Sequence, residues 1–539
     1  MKKGGKVSRF AVVLAGIQII TLLIFAGRKK GYFIDEIYSW GLANGYYKPF
    51  VASYDVFDQW ITGEEFTDYI TVQEGERFAY GSVYYNQTQD VHPPLFYMAM
   101  HTICSFTPGV QAMWQGMALN VFFYGGCLWL IFLTARALTE SEKTAMAAMA
   151  AWGFSPGGLS TGLYIRMYMM MTFFTMATVY LHVRMAKEGQ SFKRLSLICL
   201  ATFLGLMTQY YFVFIAFFLS AVYVLWKLWR RRWKEAAVYA AALFGSVGLM
   251  AAAYPACIAQ LTRTDEFVAN ETRNNFMNGA VIARNLVSYI SDINLDFFGG
   301  RIRETAVAAV LLLAGMWLWR KGSRQKDKGR PELTCSDRLG LALGMVWLLA
   351  FLSVSMAAVV TGVRYIYNLY PLFSILAVWA VQKATGWGLK GTRALGPARW
   401  GILVVMGILF LGGFGSGCVR YLFPENEERV RFAQEHRALY CLYLDEYENA
   451  PLTQDLMELA RFQGVYVMPE SEIEHVQDIL SQKDVKDDLV VYVDTSQFWS
   501  SGYDGREVME KLKRHTGAEA YEYLYGNVLS ETYLLKGVK

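Results

Sequence analysis

The sequence predicts a polytopic α-helical membrane protein of about eleven transmembrane helices, followed by a C-terminal extracytoplasmic α/β domain. Three observations carry this. The 539 residues are 54% hydrophobic and only 18% charged, too apolar for a soluble chain of this length. Apolar runs long enough to span recur from residue 10 to residue 418. The net charge of +5 is split: residues 420–539 hold 23 of the 46 acids but 13 of the 51 bases, whereas residues 1–419 hold 38 bases. A basic apolar part and an acidic polar part read as two domains, 1–419 and 420–539. The basic excess lies in loops between apolar runs, so it is no nucleic-acid footprint, and no nucleic-acid partner is expected.

The expected spans are 10–27, 112–135, 144–162, 164–183, 195–208, 209–226, 236–258, 304–319, 339–360, 366–382 and 400–418. The first lacks a small-residue cleavage site and reads as a retained anchor. Loop charge fixes the orientation. With the N-terminus cytoplasmic, segments 1–9, 136–143, 184–194, 227–235, 320–338 and 383–399 carry 26 of those 38 bases. Arg28-Lys29-Lys30 dissents, because it falls outside. Residues 93–106 are too short to cross and read as a helix in the interface plane. External loops then cover 28–111 and 260–302, and the tail is external. The expected location is the cell membrane, multi-pass.

The tail alternates. Strands are expected at 438–444, 465–468 and 489–494, with helices at 452–462, 470–482 and 506–515. Segments 521–525 and 532–535 close a hairpin. The seven cysteines show neither a disulfide framework nor metal spacing.

The unusual polar residues converge on the external face. Asp35 and Glu36 follow the first span, where carboxylates are costly to desolvate. Asp90 and His92 open the motif Asp-Val-His-Pro-Pro-Leu-Phe-Tyr. Tyr164, Arg166 and Tyr168 follow the Ser155-Pro156 break. Gln209, Tyr210 and Tyr211 mark a hairpin tip, and Arg364 and Tyr365 open the tenth span. Each has a plainer reading: Asp90 as a helix cap, Glu36 as an ion-pair partner, Arg364 as a snorkelling cation and Tyr210 as part of an aromatic belt.

Their chemistry suits a lipid-phosphate sugar at the membrane boundary. Arg166 and Arg364 can bind the donor phosphate and stabilise it as it departs. Asp35 can take the proton of an acceptor hydroxyl, with Glu36 beside it. Asp90, His92, Tyr168, Tyr210 and Tyr365 would line the substrate site. No cofactor is required. Asp35, Glu36 and Asp90 could hold a divalent cation, although no spacing demands one.

In this order, the motifs Asp-Glu, His-Pro-Pro-Leu-Phe-Tyr, Ser-Pro…Tyr-Ile-Arg-Met-Tyr, Thr-Gln-Tyr-Tyr and Arg-Tyr…Pro resemble the GT-C glycosyltransferases over residues 8–385. The similarity is to bacterial relatives of the dolichyl-phosphate-mannose protein mannosyltransferases and to the lipid A aminoarabinose transferases. It implies a GT-C membrane domain and a polyprenyl-phosphate sugar donor, with Asp35 as the base. The expected function is an inverting transfer to a cell-envelope glycan, lipid or protein. A transporter or flippase of lipid-linked sugars, and a non-catalytic scaffold for envelope assembly, are the alternatives.

Overall fold

The computed structural model describes residues 8–53, 56–262, 278–307, 333–358, 361–388, 419–446, 448–495 and 505–539, with positions 309, 310 and 314. The helices in chain order are α1 (Arg9–Ala26), α2 (Ile34–Asn44), α3 (Gly63–Ile70), α4 (Tyr80–Gln89), α5 (Leu95–Cys104) and α6 (Met113–Thr139). Next come α7 (Glu142–Gly153), α8 (Pro156–Leu163), α9 (Tyr168–Glu188), α10 (Phe192–Leu206), α11 (Phe212–Trp229), α12 (Trp233–Ala253) and α13 (Ala256–Thr262). They are followed by α14 (Gly279–Phe298), α15 (Cys335–Ala357), α16 (Tyr370–Gly388), α17 (Asn426–Glu435), α18 (Asn449–Leu459), α19 (Val476–Ser481) and α20 (Gly505–Thr516). The strands are β1 (Trp60–Ile61), β2 (Tyr440–Leu444), β3 (Gly464–Met468), β4 (Asp487–Asp494), β5 (Ala520–Gly526) and β6 (Ser530–Val538).

The chain forms two compact units. The first comprises residues 1–27 and 117–420 and is helical in its described residues. Among all described residues, α1, α6, α11, α12 and α15 are long and apolar enough to cross a membrane. The expected span 144–162 is broken. It ends at Gly153 and restarts at Pro156, where Ser155 caps α8 by accepting the Gly158 N–H at 2.9 Å. The expected loop 260–302 contains the 20-residue helix α14, which Asn278 caps. The expected span 400–418 lies outside the described residues, as does most of 304–319.

The second unit comprises residues 28–116 and 421–539. The sequence expectation divided the chain at 419/420. The structure instead gathers the first external segment with the tail. The physical reason is strand addition. In the six-stranded sheet, ordered β1-β3-β2-β4-β6-β5, the edge strand β1 comes from the segment after α2. It pairs antiparallel with β3, Trp60 against Tyr466 and Ile61 against Val465. The Trp60 indole donates to the Ile479 carbonyl at 3.1 Å and packs edge-on against Tyr440 and Tyr466. This covers an edge that would otherwise expose unpaired backbone groups.

Strands β2, β3 and β4 run parallel, and β5–β6 form the expected hairpin. Period-2 alternation sends Leu442, Leu444, Val491 and Val493 into a core with Ile479 and Leu480 of α19 and Val508 and Leu512 of α20. Cys441, Tyr443 and Tyr492 are buried too, so both faces are covered and the strands read as unbroken apolar runs.

Burial brings charges inside this unit. Asp445, at the carboxyl end of β2, is 1% exposed and accepts the Glu448 N–H at 2.5 Å. Burial pushes its carboxyl up to about 7, and the Asp494 carboxylate adds to the rise. An unfolded aspartate titrates near 3.9. The protonated form is therefore favoured by folding, and this group's contribution to stability falls as pH rises from about 4 to about 7.

Two outcomes follow. Asp445→Asn should raise the thermal midpoint at pH 8, and the gain over wild type should vanish by pH 4 in a pH series of melting curves. Gly63 opens α3 where an added Cβ would lie 2.7 Å from the Ala460 carbonyl and 2.8 Å from that of Phe462. Both neighbours are backbone and cannot step aside, so strain outweighs the usual helix gain of alanine over glycine. Gly63→Ala should cost about 1–3 kcal/mol, read as a lower melting temperature and faster proteolysis of the tail.

Candidate functional site

In the second unit, α2 carries the acidic pair in its first turn. Glu36, at the third helical position, accepts the Phe33 N–H at 2.8 Å and so closes the helix start. The same carboxylate oxygen receives the Lys29 ammonium at 2.9 Å, and both side chains are 0% exposed. Lys29 also donates to the Tyr421 carbonyl at 2.7 Å. Burial lowers the Lys29 pKa, opposed by the charge and hydrogen bond of Glu36. Asp35 is half-buried one residue earlier in the same turn.

Asp90 ends α4, and its carboxylate meets His92 Nδ1 at 2.7 Å. Pro93 and Pro94 then lead into α5, the short apolar helix expected at 93–106. Tyr38, one turn after Asp35, joins these groups. Burial raises its hydroxyl pKa, and the fields of Asp35 and Asp90 add to the rise. Its hydroxyl accepts from Asn449 Nδ2 at 2.9 Å, at the start of α18. Asn449 Oδ1 in turn accepts the Ala52 N–H at 3.1 Å. Tyr38 thus lies within the fields of Asp35 and Asp90, the latter paired with His92, and is reached by Asn449 of the tail. Sequence reading missed Tyr38 and Asn449, because neither stands in an unusual motif.

The first unit holds the arginines. Arg166, 5% exposed, lies in the turn between α8 and α9. Asn120 of α6 fixes that turn by donating to the Gly162 and Tyr164 carbonyls at 3.0 and 2.7 Å. Tyr168 stacks on Tyr164 and meets Tyr365 edge-on at 6.3 Å. Tyr365 also stacks on Tyr211 at 4.8 Å, and the Arg364 guanidinium lies over the Tyr365 ring at 5.2 Å. Tyr168, Tyr365 and Tyr211 therefore form one aromatic wall, with Arg364 over Tyr365 and Arg166 two residues before Tyr168 in the chain.

Tyr210, expected at the substrate, donates to Gln260 Oε1 at 2.5 Å, and Gln260 donates to Tyr254 at 2.9 Å. The adjacent Tyr211 takes the place on the wall. Sequence reading also missed Asp292 and Asp296, one turn apart on α14. Arg420 pairs with Asp292 at 2.7 Å, and Tyr370 donates to Asp296 at 2.7 Å. Their i, i+4 spacing was the available signal.

Among the described residues, no group of three or more His, Cys, Asp or Glu side chains gathers as a metal ion would need. The described cysteines are free.

The buried pair is open to test. Glu36→Gln leaves an uncompensated buried ammonium and should cost about 3–5 kcal/mol, read as lost yield and a lower melting temperature in detergent. Adding Lys29→Met removes the stranded charge, while the introduced amide oxygen can still accept the Phe33 N–H, so the double substitution should recover at least half of that loss.

Several known proteins are similar. Residues 100–267 match the family model described as dolichyl-phosphate-mannose-protein mannosyltransferase. The crystal structure of ArnT from Cupriavidus metallidurans, bound to undecaprenyl phosphate, superposes with a TM-score of 0.53 at 11% identity, covering 97% of this chain and 98% of that one. The archaeal oligosaccharyltransferase AglB from Archaeoglobus fulgidus, in complex with an inhibitory peptide and a dolichol-phosphate, gives 0.46 at 9% identity, over 96% and 73%. Arabinofuranosyltransferase AftD from Mycobacteria gives 0.42 at 13%, over 100% of this chain and 42% of that one. No curated protein matches the sequence. The superposition on ArnT, together with the mannosyltransferase family match, shows that the chain has the fold of the GT-C glycosyltransferases.

Proposed function

We propose that this protein is an inverting glycosyltransferase, moving a sugar from a polyprenyl-phosphate donor to a hydroxyl acceptor of the cell envelope on the external face of the membrane. The carrying observation is Asp35. It is a half-buried carboxylate in the first turn of a helix locked by Glu36 and Lys29, and Tyr38, one turn on, feels its field and that of Asp90, which pairs with His92. The fold adds support, and the ArnT structure that shares it contains a polyprenyl phosphate. Spans expected in the first unit, about eleven in all, supply the membrane part, and the second unit, 28–116 with 421–539, supplies the extracytoplasmic α/β part.

Asp35 takes the proton of the acceptor hydroxyl. The acceptor oxygen bonds to the anomeric carbon from the face opposite the phosphate. The bond from that carbon to the phosphate oxygen breaks, and its electron pair leaves with the polyprenyl phosphate. Arg166 and Arg364 hold that growing negative charge. Phosphate is a good leaving group, so one base suffices. The buried Glu36 serves as a positioning residue that sets the turn carrying Asp35. Tyr168, Tyr365 and Tyr211 pack beside the donor.

The test is turnover of polyprenyl-phosphate hexoses and pentoses by purified protein with an envelope acceptor extract. Asp35→Asn should lower kcat by about 10²–10⁴-fold with unchanged yield and elution profile. Arg364→Ala should raise the KM for donor. Undiminished turnover in Asp35→Asn would remove the base. Acceptor-independent flipping of donor by wild type, without transfer, would replace the enzyme with a transporter.

A further inference from the structure

A cavity of about 320 Å³ opens between α9, α11 and α15, within the first unit and away from the aromatic wall. Its volume lies in the range of ligand pockets. Its sides are apolar, formed by Val183, Leu219, Val222, Leu343 and Val346 among others. The polar rings along it are turned to internal work. His182 bonds the Thr178 carbonyl through Nδ1 and the Tyr239 hydroxyl through Nε2, both at 2.7 Å. The Tyr223 hydroxyl bonds Gln190 at 3.1 Å. The wall therefore offers a ligand hydrocarbon contact and little else.

The rim is different. Arg230 and Arg338 line the cavity and are both exposed. Several other cations at this end of the helices have carboxylate partners. Lys227 and Arg232 pair with Glu235, Arg184 and Arg194 with Glu188, and Lys383 with Asp337. Among the described residues, the ion pairs leave Arg230 and Arg338 out. At the N-terminus of α15, Thr334 and Asp337 form a capping box that occupies the Thr334 and Asp337 backbone donors. The charges that would hold an anion here are those of the two guanidinium groups. Trp226 lines the cavity and Trp229 lies beneath Arg230, as rings do at the headgroup level of a bilayer.

We propose that this cavity is a binding site for an anionic phospholipid of the membrane in which the protein sits, with its phosphate on Arg230 and Arg338 and the upper part of an acyl chain between α9, α11 and α15. An apolar slot with a doubly basic mouth is complementary to that amphiphile and to no water-soluble anion. The cavity lies at the end that loop charge assigns to the cytoplasm. Anionic lipid is enriched there, and basic pockets between helices receive it. The occupant would tie these three helices together at the end opposite the proposed chemistry.

Native mass spectrometry of the full-length protein, delipidated in mild detergent, tests this. Phosphatidylglycerol and phosphatidylcholine of identical chains are offered in equal amounts, and polyprenyl phosphate in a third arm. Wild type should retain phosphatidylglycerol preferentially. Arg230→Ala with Arg338→Ala should weaken its retention about thirtyfold, as expected for two lost surface cations, and the double Arg→Lys protein should keep most of it. Leu343→Trp, which fills the slot and spares both charges, should also lose the lipid. All variants are accepted only with the wild-type elution profile and melting temperature. Equal retention of the two phospholipids by wild type, or an unchanged preference in the double alanine protein, would overturn the proposal. Tighter, arginine-dependent retention of polyprenyl phosphate than of phosphatidylglycerol would overturn the identity of the occupant.

Discussion

The second unit depends on one buried ion pair. Lys29 and Glu36 lie fully out of water, and each also completes a backbone valence: Glu36 takes the Phe33 N–H, and Lys29 fills the Tyr421 carbonyl. A buried pair is weak evidence for net stability, because desolvation offsets much of the Coulomb attraction. Its effect is specificity of position. Only one geometry satisfies all four groups, and that geometry fixes the start of α2, and with it Asp35, against the first residues of the tail. Neighbouring contacts repeat the tie. The Lys30 N–H donates to the Leu422 carbonyl at 2.7 Å, and its ammonium meets Glu427. At Gly31 any side chain would collide with Asn426.

The same interaction explains the one loop that dissented from the charge count. Arg28-Lys29-Lys30 counts as three positive charges in a sequence. In the structure, Lys29 and Lys30 are each matched by a carboxylate. A cation committed to a local partner says little about which side of a membrane its loop prefers.

Much of the architecture was legible because its signals are local. Apart from α17, which was not expected, the strands and helices of the tail fall within a few residues of the expected ones, since alternation and capping act over short windows. The long apolar helices declared themselves by composition. What escaped depends on distant partners. Strand β1 is two residues long and exists only because β3 offers an edge. Asn449 matters through Tyr38, 411 positions away. Helix α14 is amphipathic and charged enough to pass for a loop, yet it carries Asp292 and Asp296 to Arg420. Tyr210 and Tyr211 are equivalent in sequence, and only the phase of the turn before α11 sends one ring to the wall and the other to Gln260.

The turn that carries Arg166 shows how a helical bundle tolerates broken helices. Ending α7 at Gly153 and α8 at Leu163 frees carbonyls in a setting where an unmet backbone group costs several kcal/mol. Two residues of α6, one turn apart, meet that need. Tyr124 donates to the Gly153 carbonyl at 2.5 Å, and Asn120 to those of Gly162 and Tyr164. Gln18 of α1 adds a bond to the Met149 carbonyl, and Ser155 one to Trp152. These polar side chains sit inside apolar helices for a structural reason. With its carbonyls bound, the backbone around Arg166 is held as firmly as a helix while remaining free of helical geometry. The turn therefore presents the buried Arg166 from a backbone whose Gly162 and Tyr164 carbonyls are already met.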